Sequence, residues 1–187
     1  MQINYLMYAN ALTGDSNITF FPTAELAQKT FNIYTEPLVA ICMNNYYNTD
    51  TQDVFTTLKD GKAYRFNAGE LEPLDDRIGD SNVYYEWNTI EVPNNTTHYL
   101  AQFSEWVDDS CISFHTENNA LTIYNNLILE QIDIAKNHHN ITINRTSQTD
   151  HFSETNNPID NHTDAFFGYH DVYNTIRIGS IHIKEDH

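Results

Sequence analysis

Positively charged residues are the scarcest class in this chain. Only nine of its 187 residues are Lys or Arg, against 26 Asp or Glu, so the formal net charge is −17. Proteins that bind nucleic acids directly neutralise phosphates with clustered Lys and Arg. The composition therefore argues against direct nucleic-acid binding. It leaves two interpretations open: the chain avoids or imitates polyanions, or the charge serves solubility.

Glycine, cysteine and long apolar runs are also in short supply. The six glycines form no Gly-x-Gly-x-x-Gly or Walker pattern, which argues against a phosphate-binding loop. Two cysteines far apart in sequence define no disulfide framework. No apolar run approaches the roughly 20 residues that cross a bilayer, and no basic segment followed by an apolar block opens the chain. We expect neither a membrane span nor a secretory signal peptide, and a location in a virion or the host cytoplasm.

The residues that are present predict an α+β, β-rich fold. Hydrophobic residues make up 40% of the chain, enough for a substantial core at this length. We expect an antiparallel sheet or sandwich with one or two short helices. The clearest helix is near 23–33, where Thr23 can cap the first turn. Strands are predicted at 3–8, 18–21, 38–43, 83–85, 89–92, 112–115, 166–169 and 175–183, and a hairpin at 54–66.

Three segments have patterns that indicate their secondary structure less clearly. Residues 98–107 fit a strand or a helix equally well. Residues 120–136 fit either two strands around a turn at 125–126 or one helix, and the many β-branched residues favour strands. The apolar alternation of the last strand changes face near Gly179, which predicts a β-bulge there. No internal repeat is evident.

The composition divides the chain into three parts. Residues 1–136 are predicted to form a β-rich domain that contains an acidic stretch at 70–117. Residues 137–164 are polar and rich in His and Asn, which predicts an arm or a long loop. Residues 165–187 are predicted to be C-terminal strands that return to the domain.

The acidic stretch is the strongest electrostatic feature. It holds eleven acidic residues and one basic residue, Arg77, with aromatic residues between the acids. Aromatic side chains can supply contact area while charges steer a basic partner, although solvated loops without a partner would give the same composition. The candidate interaction residues are Glu70, Glu72, Asp75, Asp76, Asp80, Tyr84, Tyr85, Glu86, Trp87, Glu105, Trp106, Asp108 and Asp109.

Histidine is concentrated in the last third of the chain. Seven of the nine lie in 138–187, but their spacing matches no established metal motif. One arrangement, His115-Thr116-Glu117 with the distant His170 and Arg177, is similar in order to the iron site of 2-oxoglutarate oxygenases. It departs from that pattern because Glu replaces the usual Asp and no Gly-Gly strand intervenes. We therefore predict no metal and no cofactor.

The absence of a catalytic constellation predicts a protein that acts by contact and is not an enzyme. The first hypothesis is a structural or assembly protein of a bacteriophage-like particle, in the capsid, neck or tail, whose partners are its own copies and neighbouring virion proteins. The alternative is an acidic inhibitor, of the DNA-mimic or anti-defence type, that occupies a basic groove of a host nucleic-acid-binding protein. The minor alternative is the iron-dependent oxygenase.

Overall fold

The computed structural model describes residues 1–10, 14–45, 64–67, 70–73, 83–104, 110–169 and 172–183, with backbone alone for 38–45, 64–67, 70–73 and 172. The chain divides into two compact units. Unit 1 is built on Met1–Val92, joined by two short later segments. Unit 2 is built on Pro93–Glu105 and Asp109–Ile181. The predicted α+β, β-rich class is confirmed, because the described residues of each unit combine an antiparallel sheet with a helix.

Unit 1 has an antiparallel sheet in the order β2-β1-β5-β3-β4. Its elements are β1 (Gln2–Asn10), β2 (Asp15–Phe21), α1 (Ala24–Asn45), β3 (Tyr64–Asn67), β4 (Glu70–Pro73) and β5 (Val83–Glu91). The strand β1 lies between β2 and β5, and residues on both of its faces are buried, as Ile3, Leu6 and Met7 show. This explains why the predicted strand at 3–8 carries a nearly continuous apolar run.

Helix α1 begins where the sequence predicts and ends later. The hydroxyl oxygen of Thr23 accepts a hydrogen bond from the backbone N–H of Leu26 at 3.2 Å, so the predicted cap is confirmed. Ala27 and Phe31 are fully buried on its inner face. The helix continues through Pro37 to Asn45, so the strand predicted at 38–43 is wrong. A short apolar run fits a buried helix as well as a buried strand, and here the helix prevails.

Unit 2 has an antiparallel sheet in the order β7-β6-β10-β9-β8. Its elements are β6 (His98–Ser104), β7 (Cys111–His115), α2 (Glu117–His139), β8 (Phe152–Asn157), β9 (His162–Tyr169) and β10 (Val172–Ser180). Apolar residues of α2 meet one face of this sheet, where Tyr124, Ile128, Phe167 and Ile176 belong to one buried cluster. The core of unit 2 therefore lies between α2 and the sheet.

The strands predicted within 120–136 are wrong, and the helical alternative is right. Tyr124, Ile128 and Ala135 are buried in α2, while Leu121 remains 44% exposed. These buried positions recur at helical spacing. The burial of one face against a sheet thus outweighs the weak β-preference of the branched side chains. The undecided segment 98–107 begins with β6.

The polar segment 137–164 differs from the predicted arm. It contains the end of α2, all of β8 and the start of β9. In the C-terminal part, β10 follows β9, and Ile183 forms a bridge with Phe20 of unit 1. Pairing of β10 with β6 runs unbroken from Asn174 to Ser180, so the bulge predicted near Gly179 is wrong. Most of the hairpin predicted at 54–66 lies outside the described residues.

The two units share one order of elements. Each begins with a hairpin, continues with a helix, and ends with a strand that pairs with its first strand. The register agrees as well, because Tyr5 pairs with Phe20 in unit 1 and Tyr99 pairs with Phe114 in unit 2. The second hairpin differs between the units. In unit 1 its first strand, β3, lies next to the last strand, whereas in unit 2 its second strand, β9, does. Apart from that hairpin, the two units are similar in topology.

Buried helix positions confirm this correspondence. Ala27 lies three residues after the first residue of α1, Ala120 lies three residues after the first residue of α2, and both are fully buried. One turn later, Phe31 and Tyr124 are buried in the same way. Corresponding residues of the two units can therefore be compared directly.

Candidate functional site

The predicted interaction residues are only partly within the described structure. The backbones of Glu70 and Glu72 lie in β4, and Tyr84 to Trp87 lie in β5. The remaining seven candidates fall outside the described residues: Asp75, Asp76, Asp80, Glu105, Trp106, Asp108 and Asp109. The described structure therefore brings together the four β5 residues and leaves the wider acidic surface as a prediction.

The β5 residues divide between the two faces of the sheet. Glu86 accepts hydrogen bonds from the hydroxyl groups of Tyr5, at 2.6 Å, and Tyr84. Burial and the neighbouring Glu86 carboxylate raise the pKa of Tyr5 well above its usual range. Tyr84 is itself only 2% exposed. Tyr84 and Glu86 thus support the fold of unit 1 from one face, whereas Tyr85 lies on the other.

Tyr85 belongs to a cluster of three tyrosines in unit 1. It pairs directly with Tyr8 of β1, and the two ring centroids lie 4.9 Å apart. Tyr34 of α1 stacks on Tyr85 at 6.3 Å with an interplanar angle of 16°. Asn10 donates a hydrogen bond to the Tyr8 hydroxyl at 3.2 Å. The three rings form a continuous aromatic wall that joins the sheet to the helix.

This wall borders a cavity of about 620 Å³. Its other lining residues come from β1, β2 and α1: Leu6, Asp15, Asn17, Thr19, Phe21 and Thr30. The lining thus combines an apolar floor, hydroxyl and amide groups, and one carboxylate. Burial, followed by the nearby Tyr8 and Tyr34, raises the pKa of Tyr85 to about 12. Its phenol therefore stays neutral at physiological pH. We refer to this feature as the tyrosine cavity.

The corresponding region of unit 2 is filled with aliphatic side chains. By strand register and helix start, Tyr85 corresponds to Ile176, and Tyr34 to Leu127. Ile176 is part of the buried core, and Leu127 packs against it. Thus two copies of one architecture differ at the place where a helix meets the sheet. Unit 1 has tyrosines around a cavity, and unit 2 has a hydrophobic core.

A buried ion pair occupies the other face of the unit 2 sheet. Arg177 is buried, and its guanidinium donates to both carboxylate oxygens of Asp164, at 2.7 and 2.9 Å. It also lies over the Phe103 ring, 5.2 Å from the centroid. Burial and the Arg177 charge lower the pKa of His162, which lies 3.5 Å from Asp164. Arg177 therefore serves as a structural cation in this face.

A second arginine is bound in the same way. Arg145 donates to both carboxylate oxygens of Glu154, at 3.1 and 2.8 Å, and to the side-chain oxygen of Asn125 at 2.6 Å. The Tyr124 hydroxyl donates to the same carboxylate at 3.0 Å. Hydrogen bonds from Arg145 hold the pKa of Glu154 below its usual range. The network fastens the segment after α2 to the helix and to β8.

The residues of the hypothetical iron site do not form a metal centre within the described structure. Among the described residues, no group of three or more His, Cys, Asp or Glu side chains could hold a metal ion. His115 contacts the Ser113 hydroxyl at 2.9 Å, and His170 lies outside the described residues. Glu117 lines a polar cleft of about 350 Å³ in unit 2 together with His98 and His162. Arg177, the fourth member, is bound to Asp164.

Comparisons with known proteins add no family to this picture. No protein-family model, no curated protein and no solved structure matches the chain. Within the described part of the chain, neither helix has the length and apolar character that a membrane span requires. The geometry of the described residues is therefore the basis of the functional proposals.

Sequence reasoning found one residue of the tyrosine cavity and missed the others. Tyr85 was a candidate because it lies within the acidic stretch, whereas Tyr8 and Tyr34 lie far from it in sequence. The available signal was the comparison of the two halves of the chain. Aligning them on the shared Tyr-Leu at 5–6 and 99–100 places Tyr8 against Gln102, and the later register places Tyr85 against Ile176.

Proposed function

We propose that this protein is a non-catalytic structural or assembly protein of a bacteriophage-like particle, acting through protein–protein contacts. The observation that carries the proposal is an exposed apolar residue on a rigid hairpin. Ile159 lies between β8 and β9 and is 88% exposed, the most exposed large hydrophobic residue of the described chain. Exposed apolar side chains gain free energy when a partner buries them.

The turn that carries Ile159 is fixed by side-chain hydrogen bonds. The Asn157 side-chain oxygen accepts from the backbone N–H groups of Ile159, at 3.1 Å, and Asp160, at 3.3 Å. The Asn157 amide donates to the Asp160 carboxylate at 2.8 Å. Asn161 adopts a left-handed conformation with φ of 53°, which lets the chain enter β9. A preordered turn pays little entropy when a partner binds its tip.

The test is whether the purified chain assembles and whether Ile159 is required. Sedimentation velocity and negative-stain microscopy over a range of concentrations should show a ring or lattice. Ile159→Asp should abolish it. Asn156→Asp is the matched control, because it adds the same charge at an exposed position of the same hairpin and should leave assembly intact. A strictly monomeric chain, or assembly that survives Ile159→Asp, would contradict the proposal.

A second candidate function, an acidic inhibitor of a basic protein, is supported by the two arginine pairs. Arg145 and Arg177 are each bound to a carboxylate, which leaves seven basic and 24 acidic residues outside these pairs. Few basic side chains therefore remain that would repel an electropositive partner. The expected result is a stoichiometric complex with a DNA-binding protein whose affinity falls steeply between about 50 and 200 mM salt. Affinity that does not respond to salt would contradict this candidate.

A further inference from the structure

We infer that the tyrosine cavity of unit 1 is a binding site for an organic cation with an ammonium or quaternary ammonium head group. The inference is independent of the assembly and inhibitor proposals, because it rests on one cavity within one unit. Its evidence is the aromatic wall, the carboxylate in the lining and the contrast with unit 2.

The aromatic wall is suited to a cation. Ammonium groups are attracted to the faces of aromatic rings when they lie within about 6 Å of the ring centroid. Tyr8, Tyr34 and Tyr85 supply three adjacent rings, and Tyr34 is 52% exposed. A neutral tyrosine side chain attracts a cation through the electron-rich face of its ring. All three residues line the cavity, so a bound head group can contact more than one ring.

The charge of the cavity lining also favours a cationic ligand. Among the lining residues that the structure describes, Asp15 is the one carboxylic acid, and none is Lys, Arg or His. An anionic ligand would meet this carboxylate with no cationic partner among those residues. The strongly negative charge of the whole chain also raises the local concentration of cations. An organic cation is therefore favoured over a phosphate or carboxylate ligand.

The size of the cavity fits a small molecule or a single side chain. Ligand pockets usually enclose about 300–1,000 Å³, and this cavity has about 620 Å³. The head group can belong to a free quaternary amine or to a lysine side chain of a partner protein. Both sources share the chemistry that the cavity recognises.

Unit 2 shows how this fold packs the same region with aliphatic side chains. Thr30, Tyr34 and Tyr85 correspond to Ile123, Leu127 and Ile176, which pack in the core of unit 2. Replacing the three by their counterparts removes two of the three rings and gives this region the aliphatic side chains that unit 2 already packs. The triple variant Thr30→Ile/Tyr34→Leu/Tyr85→Ile is thus a designed loss of the site.

The experiment compares choline with 3,3-dimethylbutan-1-ol, its neutral analogue of the same shape. Both are titrated into the full chain, with calorimetry and NMR of the tyrosine ring signals as readouts. We expect choline to bind at least about tenfold more tightly than the alcohol, a difference of about 1.4 kcal/mol. The Tyr34 signal should shift, while that of Tyr173, a 53% exposed tyrosine of unit 2, should not.

Variants and a second ligand complete the test. Asp15→Asn should weaken choline binding several-fold and leave the alcohol unchanged, and the triple variant should bind neither. If the triple variant does not fold, the Asp15→Asn variant and the comparison of choline with the neutral alcohol still test the inference. Nα-acetyl-trimethyl-lysine methylamide distinguishes the sources: tighter binding than choline supports a protein side chain, and weaker binding supports a free amine. Equal affinity for choline and the alcohol, or no binding of choline at millimolar concentration, would overturn the inference.

Discussion

The ring of Tyr99 lies directly against the backbone of Gly179 on the neighbouring strand. The two residues form a register pair between β6 and β10. A Cβ atom at position 179 would lie 2.6 Å from the Tyr99 hydroxyl oxygen and 2.7 Å from two ring carbons. Glycine is therefore required at this position by close packing, since its pairing is regular and no bulge interrupts the strand.

We expect Gly179→Ala to lower the free energy of unfolding by about 1–3 kcal/mol, the usual cost of forcing an atom into a packed region. Urea denaturation measures this change. In a Tyr99→Leu background the same substitution should cost less, because the ring that it meets is gone. An equal cost in both backgrounds would show that Tyr99 is not the source of the constraint.

The Arg177–Asp164 pair should be more important for stability than the Arg145–Glu154 pair. The two carboxylates are similarly exposed, at 25% and 27%, but the Arg177 side chain is 7% exposed and that of Arg145 is 33%. Asp164→Asn leaves a buried guanidinium without its counter-charge, and we expect a loss of about 2–4 kcal/mol. Glu154→Gln should cost about 1 kcal/mol, because water can solvate Arg145. Chemical denaturation measures both, and equal losses would contradict this ranking.

The residues that precede the two helices, Thr23 and Thr116, provide a matched pair of substitutions. Thr23 caps α1 through its hydroxyl group, whereas Thr116 at the start of α2 makes no side-chain cap hydrogen bond. We expect Thr23→Ala to cost about 1 kcal/mol and Thr116→Ala only a few tenths. Thermal denaturation followed by circular dichroism measures both changes. A larger loss for Thr116→Ala would refute the capping argument.

Stability should fall in mildly acidic solution because of His162. Its pKa is lowered from 6.5 in the folded state, first by burial and then by Arg177, so the unfolded chain binds a proton more readily. The stabilisation is present above pH 6.5 and is lost as the pH falls below it. The melting temperature should therefore decrease from pH 7 to pH 5.5. His162→Gln should reduce this decrease, and the exposed control His138→Gln should not.

Local sequence patterns predicted the strands with clear alternation and the cap of α1. They failed where an element depends on what it packs against. The branched residues of 120–136 prefer strands weakly, but Tyr124 and Ile128 are buried only when the segment is a helix lying on the sheet. The apolar run after Pro37 gave no period by which helix and strand could be separated.

The tyrosine cavity could not be predicted from local patterns, because its residues come from strands and a helix that are distant in sequence. Tyr8 meets Tyr85 through strand pairing, and Tyr34 reaches them from α1. The scarcity of cations was visible from composition alone. Composition did not show that Arg145 and Arg177 form ion pairs within unit 2, because sheet register and loop path determine the partner of each.

The shared order of elements allows two units of one chain to carry different interiors. Where the helix meets the sheet, unit 2 is packed with aliphatic side chains, and unit 1 presents tyrosines. Ile176 and Tyr85 occupy corresponding register positions and represent this difference. The unit whose interior departs from the aliphatic arrangement is the one in which a binding role should be sought.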